Sequence, residues 1–271
     1  MQNKIEAITQ LQEICEAEKE FNLKLNLDMV TERDNDEFDF FHYDSKQLIG
    51  YLGLYPFGKK FELCGMVHPQ FRRKGIFTKL LEKAKPLLVQ AEEVLLNTPE
   101  SSISGKAFIH SLPCQYAFSE FQMKWNQKTK GKNTANLTLK KATENDIPFI
   151  QKLDMLCFDL TEEEALSFAN IRLNAKNDTI YLILAGTEEV GKIRLQLQEA
   201  ELWIYGFAVH PDYQGRGIGG QVLNQIIRNE GKQYSIHLEV AAKNAHALRL
   251  YQSCGFEVYG EQAYYKFDQE N

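Results

Sequence analysis

A twelve-residue segment of this chain occurs twice. Met66-Val67-His68-Pro69-Gln70-Phe71-Arg72-Arg73-Lys74-Gly75-Ile76-Phe77 is echoed by Ala208 to Gly219, with His210 standing 142 positions after His68 and Gly217 142 positions after Gly75. The offset is close to half of the 271 residues. Self-similarity at one fixed spacing means one folding unit built twice. The chain is long enough for two ordinary domains, and a hydrophobic share of 44% lets each build a core. Gln127-Lys128-Thr129-Lys130-Gly131-Lys132-Asn133-Thr134 is polar and poor in apolar residues, so it reads as the linker. The expected division is 1–127 and 136–271.

Periodicity fills in both halves. Ile5, Ile8, Leu11, Ile14 and Cys15 fall on one helical face, and Phe38 to Tyr43, Gln47 to Phe57 and Phe61 to Val67 read as strands. A helix from about Arg73 is expected to end or bend at Pro86, which cannot donate a backbone hydrogen bond. Val94 to Leu96 is a short strand, Ser101 to Ser111 a helix, and Phe118 to Trp125 a closing strand. In the second half, strand Leu137 to Leu139 precedes a helix opened by Thr143 to Pro148, and Thr161 with Glu164 forms a second capping box. Strands follow at Ile180 to Ala185, Lys192 to Leu197 and Leu202 to Val209. Ile218, Val222, Leu223, Ile226 and Ile227 then recur at helical spacing.

The repeated segment therefore sits where a strand turns into a helix. A helix start leaves backbone N–H groups without partners and carries the positive end of the dipole. Gly215, Gly217 and Gly219 let an anion approach those groups with no Cβ in the way, so the expected guest is a phosphate or pyrophosphate. Two common phosphate loops do not fit. No Lys follows the glycines as GxxxxGK[ST] requires, and Gly215-x-Gly217-x-Gly219-Gly220 is not GxGxxG.

Gln214-Gly215-Arg216-Gly217-Ile218-Gly219 resembles the Gln/Arg-x-x-Gly-x-Gly/Ala signature of the GNAT superfamily of acyl-CoA N-acyltransferases. Leu238-Glu239-Val240, Asn244, Ala247, Leu250-Tyr251 and Gly255-Phe256 are similar to that family's later strand and helix, and come in the right order. The resemblance implies an α/β (α+β mixed sheet) fold, with two tandem domains, each a twisted mixed sheet flanked by helices. It also implies acetyl-CoA as co-substrate, no metal, and direct attack of a primary amine on the thioester.

By the same resemblance, Tyr251 is the general acid and Glu239 the base, with His237 or a water relay as alternatives. Alternation along Ile236 to Val240 places Glu239 and His237 on one face. The loop Gln214, Gly215, Arg216, Gly217, Ile218, Gly219 and Gly220 would cradle the pyrophosphate, although a solvated Arg216 is an equal reading. Phe207, Ala208 and Val209 would pair with the pantetheine amides through their backbone, and a backbone N–H there could polarise the thioester carbonyl. Asn244 matches a position that bonds the CoA arm, and a turn residue at a strand end is its competing reading.

The first copy departs from this pattern. At an offset of 142, Asn97 stands for Glu239, Ser102 for Asn244, Ile109 for Tyr251 and Phe77 for Gly219, while Arg72, Arg73, Lys74 and Gly75 still favour an anion. It is expected to be catalytically silent, either structural or weakly CoA-binding, with His110 or Tyr116 able to move into the vacancy.

The net charge of −6 argues against nucleic acid and suits a small cationic substrate. No membrane span or leader is read, and five scattered cysteines without CxxC spacing favour a reduced, cytoplasmic protein, with Cys254 a small hydrophobe near a helix end. Three readings stay open: a small-amine acetylase, a protein N-terminal acetylase, and a CoA-binding sensor or scaffold without turnover. The acceptor and the oligomeric state are not encoded in any pattern found here.

Overall fold

The computed structural model describes residues 2–17, 21–128, 137–198 and 200–268; most of the expected linker, 129–134, lies outside the described residues. In chain order the elements are α1 (Gln2–Ala17), α2 (Leu27–Thr31), β1 (Asp39–Asp44), β2 (Gln47–Phe57), β3 (Lys60–Val67), α3 (Ile76–Leu88), β4 (Glu93–Pro99), α4 (Ile103–Ile109) and β5 (Cys114–Trp125). They continue as β6 (Leu137–Lys141), α5 (Ile147–Phe158), α6 (Glu162–Asn174), β7 (Asp178–Ala185), β8 (Glu188–Gln198), β9 (Glu201–Val209), α7 (Ile218–Glu230), β10 (Ser235–Ala241), α8 (Ala245–Ser253) and β11 (Phe256–Phe267). Elements α3 and β4 recur as α7 and β10 at the sequence offset, residue for residue.

Two compact units form, one of residues 1–120 with 260–271 and the other of 121–259. The contiguous division expected at the linker differs from this in one respect: each unit borrows a strand end from the other half of the sequence. Within the first unit the strands run β1-β2-β3-β4-β11-β5, and Gln262 to Lys266 pair antiparallel with Leu95 to Pro99. Within the second they run β11-β5-β10-β9-β8-β7-β6. The strand directions are mixed in each unit, β3 pairing parallel with β4 and β9 parallel with β10.

Helix α7 buries Ile218, Val222, Leu223, Ile226 and Ile227 against Ile204, Ile236 and Leu238 of the sheet. Each such burial stabilises by about 1.5–3 kcal/mol. Thr161 caps α6 as its sequence says, its hydroxyl accepting from Glu164 N–H at 3.3 Å while the Glu164 carboxylate accepts from Thr161 N–H at 2.9 Å. Two details differ from expectation. Helix α3 runs through Pro86 to Leu88, because a proline in the final turn removes only one hydrogen bond close to where the ladder ends. On α1, Ile8, Leu11 and Cys15 are buried but Ile14 faces outward. Among the described residues no helix is long and apolar enough to cross a membrane.

Candidate active site

The repeated segment folds identically in the two units, down to its hydrogen bonds. His210 Nδ1 accepts from Asp212 N–H at 3.3 Å, and His68 Nδ1 accepts from Gln70 N–H at the same distance. Gln214 Nε2 donates to Val209 O at 2.9 Å, and Arg72 Nε donates to Val67 O at 3.0 Å. A short 3-10 turn follows each histidine, at Pro211–Tyr213 and Pro69–Phe71. Gly217 then caps α7 at φ 74°, as Gly75 caps α3 at φ 72°, and neither helix start has a side-chain cap. No side chain therefore caps the leading N–H groups of α7, and nothing lies within 4 Å of where a Cβ on Gly215 would be. Arg216 turns back, donating to Asp212 O at 2.8 Å and lying 5.0 Å over the Tyr213 ring.

The strands beside the loop diverge. β9 and β10 pair only from Glu201 with Ser235 to Ile204 with Leu238, although they extend to Val209 and Ala241. Phe207, Ala208 and Val209 therefore border an open wedge. On its other edge β9 pairs with β8, and there the register slips between Lys192 (opposite Ala208) and Arg194 (opposite Tyr205). Gly206, at φ 50°, takes up this bulge in a conformation L side chains rarely adopt. In the first unit β2 and β3 keep one register from Gly50 with Val67 to Phe57 with Lys60. The bulge belongs to the second copy alone.

Glu239 and Tyr251 lie on the two elements that follow. Glu239, on β10, is half-buried, and its carboxylate accepts from Gln122 Nε2 at 3.4 Å. Gln122 was not among the sequence candidates, since it comes from β5, more than a hundred residues away. Tyr251, on α8, is buried against Phe256, and burial pushes its hydroxyl up to about 12. Asn244 caps α8, its Oδ1 accepting from Ala247 N–H at 3.0 Å. That is the turn-residue reading of this position, and it commits the side-chain oxygen.

His237 shares the strand face of Glu239 but is held in place. Its ring stacks on Trp203 at 5.0 Å, its Nε2 lies 2.8 Å from Ser235 Oγ, and burial pulls it toward the neutral form.

The first copy carries the replacements that the offset projects. Ser102 caps α4 as Asn244 caps α8, with Oγ accepting from Gly105 N–H at 3.2 Å. Ile109 is buried in the core, and Asn97 Nδ2 donates to Cys64 Sγ at 3.1 Å. The His110 and Tyr116 rings pack edge-on against Tyr265 at 5.9 and 5.7 Å. A cavity of about 460 Å³ nonetheless lies where β3 and β4 diverge, lined by Gly65, Val67, Arg73, Gly75, Asn97 and Ser102 among others.

Comparison with known proteins matches the Acetyltransferase (GNAT) family twice, over residues 5–103 and 147–256. The spermine/spermidine N(1)-acetyltransferase of Bacillus subtilis (strain 168) is 34% identical over 67 residues, 24% of this chain and 44% of that protein. The [ribosomal protein bS18]-alanine N-acetyltransferase of Escherichia coli (strain K12) is 41% identical over 58 residues, 21% of this chain and 39% of that protein. The matches thus span less than half the length of these relatives. Among solved structures, a GCN5-related N-acetyltransferase from Sphaerobacter thermophilus superposes with a TM-score of 0.77 at 17% identity, covering 100% of this chain and 94% of that one. A tandem GNAT protein from the clavulanic acid biosynthesis pathway superposes at 0.72 and 15% identity, covering 100% and 96%.

Proposed function

The chain belongs to the GNAT acetyltransferase family, and from that premise we propose that its second copy moves an acetyl group from acetyl-CoA to a primary amine by direct attack. The observation that carries this is the bulge of β9. It lies beside the uncapped start of α7 and is absent from the otherwise parallel first copy.

Acetyl-CoA supplies a thioester, whose carbonyl carbon is the electrophile. Gly215 to Gly220 hold the pyrophosphate with backbone N–H groups, and Phe207 to Val209 align the pantetheine along the open edge of β9. An alkylammonium with a pKa near 10.4 has only about one molecule in a few thousand deprotonated at pH 7. Glu239 accepts that proton, directly or through water. The amine nitrogen then bonds to the carbonyl carbon, the tetrahedral adduct collapses with loss of the C–S bond, Tyr251 protonates the departing thiolate, and the proton shed by the nitrogen as it becomes an amide returns through water to the Tyr251 oxygen. Burial keeps the Tyr251 phenol neutral, which a donor requires. Asn244 orders the start of α8 and offers its amide N–H to the CoA arm.

The acceptor is a small cationic amine of the polyamine kind, in keeping with the acidic chain and with the spermine/spermidine relative. A peptide N-terminus is the second candidate, on the strength of the bS18-alanine relative. The first copy, lacking a carboxylate and a phenol at the matching positions, holds the carrier without turnover. The test is thiol release from acetyl-CoA over a panel of polyamines and peptides, with mass spectrometry of the products. Binding of acetyl-CoA without an acetylated product from any amine would favour a sensor or scaffold.

A further inference from the structure

An ion pair lies buried beneath the bulge, and the transfer derived above makes no use of it. Lys192 Nζ on β8 meets the Asp154 carboxylate on α5 at 2.6 Å, with side chains only 7% and 8% exposed. Lys192 is paired with Ala208 across the bulge, and a Cβ on Gly206 would lie 3.8 Å from its Nζ. The same helix reaches the segment at Cys157, whose Sγ lies 3.9 Å from Val209 O, and reaches Lys192 again through the Phe158 ring, 5.9 Å from its Nζ.

Such a pair is a poor way to stabilise a fold. Burial pulls Lys192 below its ordinary value and pushes Asp154 above its own, so both charges are held against their desolvation. Buried ion pairs of this kind are often matched or bettered by apolar side chains of similar volume. In the first copy, where the register is unbroken, the residue opposite Met66 is Tyr51, whose hydroxyl donates to Asp39 at 2.7 Å. The buried lysine thus accompanies the bulge.

We propose that Lys192 and Asp154 form a positioning pair for acyl transfer, holding Gly206 to Ala208 in the bulged conformation that aims a backbone N–H of this segment at the thioester carbonyl. The proposal rests on the transferase reading above and adds two residues that touch neither substrate.

The test compares the full chain with Lys192→Met, Asp154→Asn, and the apolar pair Lys192→Met with Asp154→Leu. Three quantities are read: kcat toward the best amine of the panel, the Kd of acetyl-CoA, and the ¹³C carbonyl shift of bound [1-¹³C]acetyl-CoA. The expected result is a fall in kcat of about tenfold or more in every variant, with Kd changed by less than about threefold. The bound carbonyl signal moves back toward that of the free thioester. The apolar pair melts no lower than wild type yet is equally slow, which a purely structural role would not produce. Wild-type kcat and wild-type carbonyl shift in the apolar pair would overturn the proposal. Wild-type protein that binds acetyl-CoA and acetylates nothing would instead remove the transferase reading. The carbonyl shift then still decides, an unchanged value across the variants overturning the positioning role.

Discussion

Phe77 and Phe108 pack edge to face at 4.9 Å in the first copy, in the place where Gly219 lies beneath Leu250 in the second. The exchange has a counterpart on the strand. A Cβ on Gly65 would come within 2.8 Å of the Phe77 ring, whereas the matching strand residue of the second copy is Phe207, 3.8 Å from where a Cβ on Gly219 would be. One aromatic ring fills this corner in each copy, sent from the helix in the first and from the strand in the second. Gly219→Phe alone should overpack the corner and lower stability by about 1–3 kcal/mol. Adding Phe207→Gly should recover part of that loss. Thermal melts of the single and double variants check this, and a double variant no more stable than the single one would contradict it.

Gly217 holds φ 74° at the start of α7. Gly217→Val places a branched side chain in a left-handed conformation at a cost of about 1–2 kcal/mol and covers the N–H groups proposed to hold the pyrophosphate. Calorimetric titration should show acetyl-CoA binding weakened by about tenfold or more. Unchanged affinity would move the phosphate site elsewhere.

Removing the Tyr251 hydroxyl takes away the group proposed as proton donor but little packing. Tyr251→Phe should lower kcat by more than about tenfold with acetyl-CoA affinity retained. In the wild type the hydroxyl is pushed up to about 12, so the donor stays protonated below that pH and ionises only above it. The kcat profile should show no alkaline decline centred near roughly pH 10, where an unperturbed phenol titrates. A decline there, absent in the Phe variant, would mean that Tyr251 titrates as if exposed.

Glu239→Gln leaves a side chain of similar size that still meets Gln122. Turnover at neutral pH should fall by about 10²-fold or more. It should then climb roughly tenfold per pH unit as the free-base fraction of the amine rises toward its pKa. Steady-state rates over a pH series measure this, and a flat profile or wild-type turnover would assign the proton to another group.

The local chemistry of this fold was legible because it is local. The spacing of Ile218, Val222, Leu223, Ile226 and Ile227 marks α7, Thr161 with Glu164 marks the start of α6, and the repeat projects Ser102 onto the capping position of Asn244. Features that depend on distant partners were not legible. Gln122 reaches Glu239, and Lys192 reaches Asp154, only once the strands and helices have assembled. The exchanged strand ends are likewise set by pairing, since Gly260 to Phe267 carry a strand pattern that names no partner. In the sequence Phe77 is only a departure from Gly219, and Gly65 opposite it shows how the larger ring is accommodated.

The central claim is that two copies with the same loop divide the labour, one turning over and the other not. Gly75 and Gly217 share a helix-capping conformation, so Gly75→Val and Gly217→Val impose the same local strain on the two copies. The direct measurement is mass spectrometry of the acetylated amine together with thiol release, for wild type and these two variants. The account predicts one acetylated amine per thiol released, at a rate lowered about tenfold or more at subsaturating acetyl-CoA by Gly217→Val and maintained in Gly75→Val. No product from wild type, or a loss that follows Gly75→Val instead, would contradict it.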